Sequence, residues 1–143
     1  MEPTENLHYA IGELAFAVAR ADGELQQEER KKFHDIVEEE LRNKHNSFNV
    51  SDIIFQIMEK DKVDTKTTYE VAMHEMKVNG HYLSPKLKEK FISVLEKVAE
   101  AFPPVTSEEK NIIERFKADI KPIKGDPIFY DPEYLEKMDK VKK

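Results

Sequence analysis

The 143-residue chain contains no cysteine. That absence excludes a disulfide scaffold, a thiolate nucleophile and any zinc site built on sulfur, and it leaves the redox compartment open. Long apolar runs are missing too, and nothing approaches the ~18 residues that cross a bilayer. The stretch from Leu14 to Ala19 is too short for a secretory signal, and Glu2 and Glu5 stand where a leader would carry basic residues. A cytoplasmic protein with no direct membrane insertion is expected. Positive charge is in deficit, 23 Lys+Arg against 29 Asp+Glu, for a net charge of -6. Phosphate backbones are held by clustered cations, so no nucleic-acid partner is expected. The acidic excess sits early, with 11 acidic against 6 basic residues in positions 1–49. Glycine and proline are scarce, and neither occurs between Glu24 and Asn79. The first hundred residues therefore read as helices joined by short connections.

What is present is helical periodicity in a chain long enough for one domain with a real core. Leu7, Ile11, Leu14, Ala15 and Val18 recur at steps of three and four, with Thr4 as N-cap and Asp22-Gly23 as the stop. Phe33, Ile36, Val37 and Leu41 repeat the spacing in a second helix that opens near Gln26 and ends between Asn43 and Asn46. Ile53, Ile54, Ile57 and Met58 predict a short third helix capped by Ser51, and Tyr69, Ala72, Met73 and Met76 a fourth, stopped at Asn79-Gly80. Ser84-Pro85 opens a fifth, striped by Leu87, Phe91, Val94, Leu95 and Val98, because proline loses nothing at the first helical position. Thr106-Ser107-Glu108-Glu109 has the form of a capping box ahead of a sixth helix through Ile112, Ile113, Phe116 and Ile120. Past Lys121, Pro122, Gly125, Pro127 and Pro132 break the period, yet Ile123, Ile128, Phe129, Tyr130, Tyr134, Leu135 and Met138 are too apolar for a free linker. The expected organisation is a helical domain over 1–120 and a tail over 121–143 packed on the body. In that tail Ile128, Phe129, Tyr130 and Leu135 should be at least partly buried, with a short helix from about Pro132.

Candidate chemistry is sparse. Asp22, Glu24, Glu28 and Glu29 form an acidic loop that could hold a divalent cation weakly through oxygen ligands and water. The same residues are explained by a tight turn followed by a helix start, where carboxylates suit the dipole. A calcium loop of the EF-hand type is excluded, because its first two carboxylate positions would fall on Val18 and Arg20. The histidines are His8, His34, His45, His74 and His81, and no His-x-x-x-His pair supplies a transition-metal site. A glycine-rich phosphate loop, a nucleophile elbow and a His-Glu-x-x-His run are all lacking, so no catalytic residue is identified and no enzyme is expected. Tyr69, Met73, Met76, Phe91 and Phe102 read as core in preference to a ligand groove, and Arg30-Lys31-Lys32 with Glu38-Glu39-Glu40 as a solvated face of the second helix.

One internal match stands out, between residues 15–37 and 95–117, at an offset of 80. Val18-Ala19-Arg20-Ala21 overlays Val98-Ala99-Glu100-Ala101, Glu28-Glu29 overlays Glu108-Glu109, and Phe33 overlays Ile113. Two helical hairpins related by approximate symmetry are expected. Ala19-Arg20-Ala21-Asp22-Gly23-Glu24-Leu25, followed by Glu28 or Glu29 and the helix through Phe33 and Ile36, resembles the Ala-Asp-Gly-x-aliphatic-x-x-x-Glu signature of the TerB-like, tellurite-resistance-associated family. The resemblance covers about residues 7–120 and departs from the pattern in the second hairpin, where Phe102-Pro103-Pro104 replaces a second acidic loop. It implies an all-α bundle of about six to seven helices with two pseudo-symmetric hairpins. It also implies a role in tellurite and other stress-response systems, sometimes near membranes, and an acidic site able to take a metal. No enzymatic activity comes with it. The expected function is a non-enzymatic module in a stress-related or envelope-associated system that binds a partner protein. A weak divalent-cation or small-ligand sensor is the alternative, and no other cofactor is expected.

Overall fold

The structure, a computed structural model, describes residues 3–19, 27–41, 64–101 and 105–130. Within them lie α1 (Pro3–Ala19), α2 (Gln27–Leu41), α3 (Thr65–Val78), α4 (Pro85–Ala101) and α5 (Ser107–Ile120). Two 3-10 turns follow α3 and α5, at Gly80–Tyr82 and Pro127–Phe129. No strand occurs among the described residues, and the fold is all-α. The helices expected around Ile53 to Met58 and from Pro132 lie outside the described residues.

Local chemistry sets the ends of the helices. Asp64 caps α3 by accepting the Thr67 N–H at 2.7 Å. The Ser84 hydroxyl accepts from the Leu87 N–H at 3.1 Å ahead of Pro85, as the sequence predicts. At α5, Thr106 Oγ1 accepts from the Glu109 N–H at 3.1 Å, and the hydroxyl meets Glu109 Oε1 at 3.2 Å. The box is closed between two side chains, and Glu109 is only 1% exposed. At α1 the expected cap is displaced. The helix already includes Pro3, so Thr4 lies inside the first turn, where its carbonyl is available to His8 one turn on.

The core is organised around α1, which packs on α3, α4 and α2. The predicted stripe of Leu7, Ile11, Leu14, Ala15 and Val18 is buried, and so are Ala10, Gly12, Phe16, Ala17 and Ala19. From Ala10 to Ala19 only Glu13 escapes burial. A helix covered on all sides needs small residues wherever a neighbour approaches, and the alanines and Gly12 supply them. The helices that the internal match overlays, α1 and α4, pack on each other, α1 also against α2 and α3, and α4 also against α2 and α5. α3 covers α1 while α2 covers α4. Phe33 of α2 meets Phe16 edge to face, ring centroids 5.6 Å apart. The basic triplet of α2 is more than a solvated face, because Lys32 Nζ donates to the Ala101 carbonyl at 2.8 Å, at the end of α4 where a cation suits the dipole. Lys97 of α4 pairs with Glu40 of α2 beside it.

Past α5 the chain turns back over the start of α4. Ile123 is half-buried, Lys88 Nζ donates to its carbonyl, and the Asp126 N–H donates to the His81 carbonyl at 2.9 Å. Ending the chain after Ile120 should therefore lower the melting temperature by several degrees, as judged by thermal circular dichroism. An unchanged melting temperature would show that these contacts contribute no stability.

Candidate interaction surface

Among the described residues, large apolar side chains that face outward are few and fall in two places. On α3, Val71 and Val78 are 48% and 60% exposed. They are two turns apart and so share one face, opposite Tyr69, Ala72, Met73 and Met76, which are buried in the core. The second place is the turn Pro127–Phe129, where Ile128 is 75% and Phe129 43% exposed. The Asp126 carboxylate accepts the Ile128 N–H at 3.1 Å, and Phe129 leans on Tyr82 and His81 with ring centroids 5.0 and 6.0 Å away. The turn is thus pinned while one of its apolar side chains stands in solvent. This corrects the expectation that Ile128 would be partly buried. The capped turn spends its inward position on Phe129 and aims Ile128 away from the body. Leu135 lies outside the described residues.

Glycine permits this docking at two points. A Cβ at Gly80 would stand 2.9 Å from Ile123 Cγ2, and one at Gly125 would stand 2.6 Å from the Tyr130 ring and 2.7 Å from the Leu83 carbonyl oxygen. The second contact is with backbone and cannot be relieved by a rotamer change.

Titratable groups near the core act mainly as ties between helices. The Tyr69 hydroxyl of α3 donates to Asp119 Oδ2 of α5 at 2.6 Å, and the Arg115 guanidinium sits 4.3 Å above the tyrosine ring. Burial first, then the bond to Asp119, push the Tyr69 hydroxyl far above its ordinary range, so it holds its proton at neutral pH. Glu13 of α1 is partly buried and faces Glu75 of α3. Burial pushes its carboxyl up, and the Glu75 charge adds to the effect. A group whose folded value is raised contributes stability below its unfolded value, here 4.5, and loses that contribution as pH rises through the folded value. Glu13→Gln should therefore raise the melting temperature at pH above the folded value. The gain should vanish as pH falls to about 4.5, in parallel thermal scans of the two proteins.

The predicted acidic site is only partly within view. Asp22 and Glu24 lie outside the described residues, while Glu28 is exposed and Glu29 half-buried in the first turn of α2. Among the described residues, no three His, Cys, Asp or Glu side chains come together as a metal-binding group. His74 and His81 are exposed, His34 is half-buried and His8 is fully buried, while His45 lies outside the described residues. α3 ends at Val78, so His74 and His81 do not share a helix. Tyr69, Met73, Met76 and Phe91 belong to the core, as expected, and Phe102 lies outside the described residues. Sequence reasoning missed Val71 and Val78. Their signal is a pair of β-branched residues seven apart that falls off the inward stripe.

No helix among the described residues is long and apolar enough to cross a membrane. No curated protein and no solved structure matches the chain at a significant level. A family model described as "Tellurite resistance protein TerB" matches residues 8–121, from the second turn of α1 to the residue after α5. With the match spanning most of the sequence, from within α1 through α5, the chain belongs to the TerB family.

Proposed function

We propose that this TerB module is non-enzymatic and works in a stress-related or envelope-associated system of the cytoplasm by binding a partner protein. The observation that carries the reading is the exposure of Val71, Val78, Ile128 and Phe129 on pinned elements of a body whose buried side chains are otherwise packed into the core. Apolar side chains held in fixed positions lose little entropy on being covered, so each favours association when a partner buries it. Family membership directs the reading toward tellurite and related stress. The test is complementation of a deletion strain under tellurite stress. Wild type should restore growth, and Val71→Lys/Val78→Lys and Ile128→Asp, each with the wild-type circular dichroism spectrum, should not. Full rescue by both folded variants would overturn the reading.

The cation reading rests on the Asp22 loop and on Glu28 and Glu29 at the start of α2. One acidic loop supplies few oxygen ligands, and Phe102-Pro103-Pro104 supplies no carboxylate from the second hairpin. Calcium or magnesium should bind at millimolar strength or not at all in titration calorimetry of metal-stripped protein. Micromolar binding that disappears in Asp22→Ala would put the sensor first.

A further inference from the structure

His8 is a polar side chain at 0% exposure in the contact between α1 and α4. Its Nδ1 lies 2.7 Å from the Thr4 carbonyl oxygen, which can only accept, so Nδ1 carries the ring proton. The neutral ring therefore presents a bare lone pair at Nε2. That atom is buried and has no hydrogen-bond partner among the described residues. The ring stands edge to face with Phe91 of α4, centroids 5.6 Å apart and planes at 86°. In this setting the imidazole is a serviceable apolar wedge and a poor home for a positive charge, because a buried ion without a partner is strongly disfavoured.

The charges among the described residues around it do not supply that partner. From α4, Lys90 adds a like charge beside Phe91. From α3 the facing carboxylate is Glu75, which acts on Glu13 farther along α1. On α1 itself Glu5 acts on Tyr9. α2 meets α1 through Phe33 and Phe16, two turns beyond His8.

We propose that His8 is an acid-operated catch: neutral, its ring locks the first turns of α1 against α4, and a proton at Nε2 drives them apart. The sign follows from linkage. Burial lowers the affinity of His8 for a proton, the Thr4 hydrogen bond raises it and Lys90 lowers it, for a net position below 6.5. The unfolded chain takes up that proton near 6.5, so the His8 contribution is complete above 6.5 and drains away as pH falls toward the folded value. The catch is thus set in a neutral cell and weakens under acid stress. It acts independently of which partner the outer surface binds.

Two measurements on the full chain test it. Nitrogen-15 NMR should show Nδ1 protonated and Nε2 unprotonated at neutral pH, with His8 taking up its second ring proton only below its ordinary value of 6.5. Amide exchange, corrected for intrinsic rates, should show the first turns of α1 and of α4 losing protection relative to α5 between about pH 7 and about pH 5.5. The loss should be up to about tenfold per pH unit. His8→Leu should abolish that selective loss, and His8→Met serves if the leucine variant does not fold. A His8 that titrates at its ordinary value, or variants that keep the wild-type loss, would overturn the proposal. If neither variant folds, the wild-type titration decides alone.

Discussion

Phe91→Ala should destabilise the protein by about 3–5 kcal/mol, measured by urea unfolding. The side chain is 0% exposed and stands on α4 where that helix meets α1. Truncation removes a full aromatic ring from a site walled by the imidazole of His8 and the surrounding core, and two rigid helices cannot close in to refill the volume. The slope of the unfolding free energy against denaturant should stay constant, since the change lies in the native state. Phe91→Leu keeps most of the volume and should lose well under half as much. A loss of less than about 1 kcal/mol for the alanine variant would mean that the α1–α4 contact is not close-packed at this point.

Thr106→Ala should lose about 2 kcal/mol, at the upper end for a helix cap. The threonine oxygen accepts the Glu109 N–H, and its hydroxyl meets the carboxylate of the same residue, which is buried at the start of α5. Removing the hydroxyl deprives both a backbone donor and a buried carboxylate oxygen of a partner, and desolvated charged groups make such losses costly. Thr106→Ser restores both contacts and should recover most of the stability in thermal unfolding. Equal losses for serine and alanine would assign the effect to the threonine methyl group.

The parts of the fold legible in the sequence are those written locally. Ser84-Pro85 and the Thr106 box state where two helices begin, and the inward residues of α4 and α5 recur at helical spacing. Enclosure is not written locally. Alanine and glycine suit a surface or a close helix contact equally well, so Ala10, Gly12, Ala17 and Ala19 did not announce that α1 is covered on all sides. Asp64 went unread as a cap because no glutamate or glutamine follows it three positions on to form a box. Ile128 was misplaced because apolar content shows that a segment is sticky, and only the geometry of the capped turn decides which of two adjacent side chains faces in. His8 shows the same limit at a polar position, since its burial depends on Phe91, 83 positions away. Of the candidate surface, composition marked Ile128 and Phe129 as apolar but placed them inward, while the outward face of α3 depends on which side of that helix α1 occupies.

The enclosure of α1 has a consequence during synthesis. α1 leaves the ribosome before the segments that hide its surface, with α3 beginning at Thr65 and α4 ending at Ala101. Until residue 101 has cleared the exit tunnel, Leu7, Ile11, Leu14, Phe16 and Val18 lack the cover that α4 supplies and present a partly greasy nascent helix to the cell. Such an order of appearance favours chaperone capture of the growing chain. It also makes a premature stop between α3 and α4 more aggregation-prone than one placed after α5.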